Sequence, residues 1–298
     1  MQLSYMYLSF WIMAAIFLVV AGVLVVAVIR FRERRGQERE LPPQVEGNTA
    51  LEVVWTIVPI LLLAILGVVT VAGSFTLARL APSSRALVVQ VTGHQYWWAY
   101  TYPSLGITTA NDLHIPVGEK VDLELTSKDV MHAFWVPRLG GKTDLVPGRT
   151  NYMWIEADRP GVYTGQCAEF CGTGHADMRL VVEAQTPAQF QAWVQSMKHP
   201  SSVPASGLAR QGYLDFKTAG CFACHAIAGT PYQGVVGPNL TNLAQRPMIA
   251  GNILRNTPAN LAAWLRNPPG VKPGALMPNL HLSPSQVRAL VAYLESLH

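Results

Sequence analysis

The sequence predicts a multidomain membrane protein: a two-helix transmembrane hairpin, an all-β sandwich or barrel, and a small all-α domain at the end of the chain. Three observations predict it. Two uncharged apolar runs, residues 7–29 and 53–77, open the chain. Three segments of period-two alternation follow, punctuated by Pro-Gly turns. After a Pro- and Ser-rich stretch the pattern changes to helical periodicity. Charged residues make up 13% of the 298, about half the quarter usual in soluble chains, and the apolar runs explain much of that deficit.

Each apolar run exceeds the roughly twenty residues that cross about 30 Å of hydrocarbon as a helix. A cleaved signal peptide would begin with basic residues, and residues 1–6 carry none. Between the runs stand Arg30, Arg32, Arg34, Arg35 and Arg39. The excess of basic residues places that loop in the cytoplasm, with everything after about residue 80 on the outer side. The expected division is a hairpin over 1–80, a sandwich over 81–198, a linker over 199–208 and a helical domain over 209–298.

In the sandwich, residues 86–92, 120–126 and 150–156 alternate apolar and polar side chains, as half-buried strands do. Turn signals at 116–118, 146–148 and 159–161 separate them. Residues 187–197 read as a short amphipathic helix, and 199–207 have linker composition. Residues 207–219 read as a helix ending before a second cysteine motif. The last helix opens at Ser283-Pro284, an N-cap followed by proline, and carries Val287, Leu290, Val291 and Leu294 on one face. Residues 81–200 hold nine basic and eleven acidic groups, whereas 201–298 hold seven basic and two acidic. That imbalance favours docking of the two modules on each other.

The four cysteines fall in two motifs, leaving none for a structural disulfide. Cys167, Cys171, His175 and Met178 lie within twelve positions. Soft thiolates, a thioether and an imidazole suit copper far better than calcium or magnesium. One tight loop aims both thiolates at a single point, and two bridging thiolates hold two coppers; a second nitrogen comes from His132 on a preceding loop. Cys-x3-Cys with one His also suits zinc, and Met178 also suits core packing. The second motif, Cys221-Phe222-Ala223-Cys224-His225, reads as covalent haem attachment.

Residues 129–137 (Asp-Val-Met-His-Ala-Phe-Trp-Val-Pro), 142–144 (Lys-Thr-Asp), 147–149 (Pro-Gly-Arg) and 165–178, with the two spans, resemble subunit II of haem-copper cytochrome c oxidases over residues 1 to about 190. The resemblance implies a cupredoxin sandwich and a dinuclear CuA centre. Its side-chain ligands would be His132, Cys167, Cys171, His175 and Met178, with the backbone carbonyl of Glu169. The Glu169 carboxylate would help hold a magnesium or manganese ion shared with subunit I. The family carries Trp after Gly-His-Gln as its electron-receiving residue; here Tyr96 stands there, followed by Trp97, and both are candidates for that role. Glu52 matches the family's glutamate at the mouth of a proton channel. His94 and His114 fit no ligand spacing, and His199, His281 and His298 read as solvated.

In the C-terminal domain Cys221 and Cys224 would form thioethers to haem, with His225 an axial ligand. Gly237-Pro238-Asn239-Leu240 resembles the proximal loop of class I cytochromes c. Met277, flanked by Pro278 and followed by a helix, is the expected second axial ligand, and Met248 is expected to be packing. Together the resemblances imply a caa-type oxidase subunit in a bacterial plasma membrane, its sandwich and haem domain on the periplasmic side. Electrons would come from a quinol-oxidising complex or a small cytochrome c or cupredoxin, and pass from haem c through copper to subunit I, where O2 is reduced with proton translocation. Subunit III and membrane lipid are further expected partners, and nucleic acid is not. A nitric oxide reductase bearing CuA is the alternative. A quinol oxidase subunit would lack the copper ligands, and a copper-storage protein would not need a haem.

Overall fold

The computed structural model describes residues 2–32, 47–78, 87–198 and 203–298. These fall into two units, Met1–Arg79 and Leu80–His298. Arg34, Arg35, Arg39 and His199 lie outside the described residues, as do the first residues of the expected linker.

The first unit consists of α1 (Gln2–Phe31) and α2 (Thr49–Ala78). Both are longer than the apolar runs that predicted them. Their side chains are apolar on every face: Phe17 is 69% exposed and Val68 71%. A helix apolar all round and left this exposed is suited to lipid. The α1 segment Leu3–Phe31 and the α2 segment Thr49–Thr76 are long and apolar enough to cross a membrane. Glu52 lies in the first turn of α2, where a carboxylate complements the helix dipole.

The second unit begins with ten strands: β1 (Leu87–His94), β2 (Trp97–Tyr102), β3 (Ile107–Ala110), β4 (Asp112–Pro116), β5 (Val121–Ser127), β6 (His132–Trp135), β7 (Thr143–Leu145), β8 (Asn151–Ile155), β9 (Gly161–Cys167) and β10 (Arg179–Gln185). They form two five-stranded sheets, ordered β3-β2-β1-β5-β8 and β4-β10-β9-β6-β7. The pairs β1–β5 and β4–β10 are parallel and the others antiparallel. This is the cupredoxin sandwich the motifs implied. Its core is built by alternation: Trp98, Tyr100 and Tyr102 of β2 point inward onto Leu113, Leu123, Leu125 and Phe134. Each such side chain contributes about 1.5–3 kcal/mol when fully buried.

Asn111 carries the chain from one sheet to the other. Its φ of 65 lies in the left-handed region that asparagine tolerates. Its side-chain oxygen accepts from Trp98 N at 3.0 Å, and its carbonyl accepts from Val181 N at 3.0 Å. Both sheets are thereby tied to one residue. The sandwich is closed by α3 (Pro187–Lys198), whose Phe190, Val194 and Met197 are buried.

The rest of the unit is a small helical domain: α4 (Gly207–Thr218), α5 (Pro258–Arg266), α6 (Pro268–Val271) and α7 (Pro284–Leu294), with a two-residue strand pair at Met248–Ile249 and Leu254–Arg255. Helix α7 begins at a capping box between Ser283 and Gln286 with proline at its start, as the sequence predicts. Helices α4 and α7 cross closely because Gly212 has no side chain; a Cβ there would lie 1.9 Å from the Ala289 carbonyl oxygen. Around the crossing, Phe216, Leu261, Leu265, Leu290, Tyr293 and Leu294 form a separate core.

Candidate metal centre

Strand β9 ends at Cys167, and the loop after it turns back so that Cys171, His175 and Met178 face the same point from which β6 presents His132. The two Sγ atoms lie 3.9 Å apart. His132 Nδ1 is 3.8 Å from Cys167 Sγ, and His175 Nδ1 is 3.6 Å from Cys171 Sγ. Met178 Sδ is 3.8 Å from Cys171 Sγ, and the Glu169 carbonyl oxygen accepts from Cys167 Sγ at 3.2 Å. All six residues the sequence singled out for this motif therefore converge. His132 and Met178 are fully buried, and both cysteines are nearly so.

This donor set fits a copper pair: one imidazole beside each thiolate, with a thioether and a carbonyl completing the nest. Soft sulfur and imidazole ligands in a dry site favour copper over hard cations. His132, Cys167 and Cys171 are the one group of metal-holding spacing found among the described residues. The two thiols titrate as a pair. Hydrogen bonding by Cys171 holds the Cys167 thiol far below its ordinary range, and the resulting thiolate pushes the Cys171 thiol far up. Burial opposes a charged His132, yet its contacts with Cys167 and Asp129 outweigh that and raise its pKa.

A layer of polar contacts fixes the loop. Asp129 accepts from Gln95 N at 2.7 Å and from Val130 N at 2.7 Å, and lies 2.8 Å from His132 Nε2. The Gln95 side-chain amide donates to the Cys171 carbonyl at 2.6 Å. Gly172 and Gly174 leave room for Tyr96; a Cβ on Gly172 would lie 2.5 Å from its hydroxyl and one on Gly174 2.5 Å from its ring. Trp97, half-buried, stacks on His94 with centroids 4.2 Å apart.

The second motif lies on a short turn after α4. Cys221, Cys224 and His225 border a cavity of about 480 Å³, which Met277, Met248 and Trp264 also line. Its size and mostly apolar walls suit a planar macrocycle. His225 Nδ1 is 2.8 Å from the Pro238 carbonyl oxygen. A carbonyl only accepts, so Nδ1 carries the proton and Nε2 is left as a donor pair for a metal. A Cβ on Gly237 would lie 2.6 Å from the His225 ring, so the proximal loop needs glycine there to approach so closely. Burial lowers the His225 pKa, which keeps the ring neutral and able to ligate. These residues fit a haem.

The cavity extends to the sandwich, where His94, Tyr96 and Trp97 line its far wall. His94, a residue without ligand spacing in the sequence, is thus part of the boundary between the modules. Three residues that the sequence did not mark also lie there. Lys272 Nζ donates to the Tyr96 carbonyl at 2.8 Å. The Asn252 amide donates to the Asn111 carbonyl and to Asp112 Oδ1, both at 3.1 Å. Gly274 abuts Gly174 and Tyr96. The docking anticipated from charge is present, but it is made by buried polar groups.

Comparison with known proteins gives the same picture. A family model described as Cytochrome C oxidase subunit II, transmembrane domain, matches residues 4–72, and one for the periplasmic domain of that subunit matches residues 105–185. A Cytochrome c model matches residues 209–298. The chain is 44% identical to cytochrome c oxidase subunit 2 of Alkalihalophilus pseudofirmus, over 98% of this chain and 86% of that one. It is 41% identical to cytochrome c oxidase subunit 2 of Bacillus sp. (strain PS3), over 90% of this chain and 80% of the other. It is also 35% identical to quinol oxidase subunit 2 of Bacillus cereus, over 64% of this chain and 66% of the other.

Proposed function

Because the chain belongs to the cytochrome c oxidase subunit II family and carries a cytochrome c domain, we propose that it is the electron-receiving subunit of a caa-type oxidase. When bound, haem c and a dinuclear copper centre supply one-electron chemistry, drawn from an external donor and delivered to subunit I for reduction of O2 to water with proton translocation. The chain's own residues hold, orient and insulate. Cys221 and Cys224 would anchor the haem, and His225 and Met277 would ligate its iron. His132, Cys167, Cys171, His175, Met178 and the Glu169 carbonyl would hold the copper pair. A rigid, dry nest that suits both oxidation states keeps reorganisation small, which favours fast transfer.

The observation that carries this reading is Tyr96. Gly172 and Gly174 of the copper loop and Gly274 of the Met277 loop all crowd Tyr96, so that a Cβ on Gly174 or Gly274 would meet the same edge of its ring. This crowding supports Tyr96 as the electron-entry residue in the position of the family's tryptophan, with Trp97, stacked on His94, as the other candidate. The Glu169 carboxylate is assigned to a magnesium or manganese ion at subunit I, and Glu52 to the mouth of a proton channel there. Arg30 and Arg32 mark the cytoplasmic side of the bacterial plasma membrane, so the sandwich and haem module face the periplasm. The relative named quinol oxidase raises a second donor class, but the complete sulfur and imidazole set and the haem motif in this chain favour a cytochrome c oxidase.

Purification of the intact complex tests the proposal. Two coppers and one covalent haem per chain, with oxygen consumption by the co-purifying large subunit, are expected. Zinc in place of copper, or nitric oxide consumption without oxygen consumption, would overturn it. Deleting residues 201–298 should leave oxidase activity with an artificial donor and weaken turnover with the native one.

A further inference from the structure

Lysine side chains are almost never fully buried without a charged partner. Lys272 is only 3% exposed. Its ammonium donates to the Tyr96 carbonyl of the sandwich at 2.8 Å and to the Ala250 carbonyl of the haem module at 3.2 Å. Among the described residues no carboxylate forms an ion pair with it. Burial lowers its pKa to about 8, with the charge of Asp177 in its favour and that of Arg179 against it. An ammonium held in this way, tip inward, is the reverse of a lysine that packs its stem and solvates its head.

The surroundings are cleared for it. Gly251, at φ +75, stands where a Cβ would come 2.5 Å from Nζ and 3.2 Å from the Tyr96 carbonyl oxygen. The residue before Tyr96, Gln95, donates from its amide to the Cys171 carbonyl. Five residues after Lys272 comes Met277. An unbroken path of hydrogen bonds and backbone thus runs from the Met277 loop through Lys272, the Tyr96 carbonyl and Gln95 to a copper-ligand loop.

We propose that Lys272 is a positioning residue that pins the haem module onto the copper loop and places an ammonium charge at the Tyr96 carbonyl, next to that loop. This rests on the functional reading above. It adds a role for a residue of the haem module in the neighbouring centre. A positive charge near the copper pair favours the state with one more electron, so Lys272 raises the copper potential. The Asn252 contacts with Asn111 and Asp112 form a second, uncharged pin.

The test uses the intact complex, with copper and haem content measured first; if either cofactor is missing from the unaltered protein, the functional reading fails, not this inference. With both present, K272M should lower the copper midpoint potential, followed by near-infrared absorption. It should also shift the haem–copper electron distribution toward haem by on the order of tenfold and slow transfer between them. N252A should slow transfer without moving the potential. Unchanged potential in K272M overturns the proposal, as does an equal potential shift in N252A, because a loosened interface alone would then explain both. If K272M does not assemble, K272Q carries the measurement with the same expected fall and the same overturning result.

Discussion

Asp129 Oδ1 lies 2.8 Å from His132 Nε2, on the far side of the ring from Cys167. A carboxylate accepts, so Nε2 holds the proton and Nδ1 is left to face the thiolates. Asp129 is held in turn by two backbone amides; burial would raise its pKa, but the hydrogen bond from His132 and those from Gln95 N and Val130 N keep it low. Outer carboxylates of this kind fix tautomer and orientation, and their removal costs about 10–100-fold in metal affinity. Asp129→Ala should therefore weaken copper retention by that factor in a chelator competition, with the haem unaffected. Equal retention would show that β6 alone orients the ring.

Both Met248 and Met277 line the haem cavity, but their backbones differ. Met248 is fixed in a strand pair opposite Arg255, whereas Met277 sits on the loop between α6 and α7, partly packed on the core. Thioether ligation raises a haem's potential. Met277→Leu is expected to lower the haem potential in a redox titration, and Met248→Leu to leave it in place. The opposite pattern would exchange the two assignments.

Cys224→Ser should abolish stable haem attachment, seen as loss of haem staining after denaturation, while the near-infrared copper absorption persists. The two motifs have separate donor sets, and no residue is shared between them. Loss of both signals together would show that the copper nest does not form without haem.

The helix crossing of α4 and α7 depends on Gly212. Its missing Cβ would strike a backbone carbonyl, which cannot swing aside as a side-chain tip does. Overpacking of this kind costs about 1–3 kcal/mol. Gly212→Ala should lower the stability of the haem module by that amount in denaturant titration, without changing the copper absorption.

Cys167 through Met178 were legible because the ligands are contiguous in sequence, so spacing alone gathers them around one point. The strands at β1, β5 and β8 and the helices α3, α4 and α7 were legible to within a few residues from periodicity and caps. Strand β2 was less so. Its outward positions Trp97, Ala99 and Thr101 are themselves half-buried, which erases the polar half of the alternation. Nothing local marks Lys272, which sits between Val271 and Pro273 as a surface lysine would. Its burial is set by a carbonyl 176 residues away, a tertiary fact with no periodic trace. Asn111 and Asn252 escaped notice for the same reason.

His114 and Asp112 sit two residues apart on β4 and respond oppositely to acid. The His114 side chain is 12% exposed, stacked on Trp193 and within 3.3 Å of Gln185 Oε1. Burial lowers its pKa to about 4, against the hydrogen bond that His114 donates to Gln185 Oε1 and with the repulsion of Arg246. The unfolded chain takes up this proton near 6.5 and the folded one only near 4, so stability is lost as pH falls through that window. The loss is about 3 kcal/mol at most. Burial instead raises the pKa of Asp112 to about 6, against Arg246 and Asn252. The folded state therefore binds that proton before the unfolded one, and stability is gained as pH falls from about 6 toward 3.8. The two partly cancel in the native protein. His114→Gln removes only the first, so its denaturant midpoint should rise between pH 6.5 and 4.5 relative to that of the unaltered chain. Parallel profiles for the two proteins would mean that His114 is solvated enough to take up its proton in the folded state.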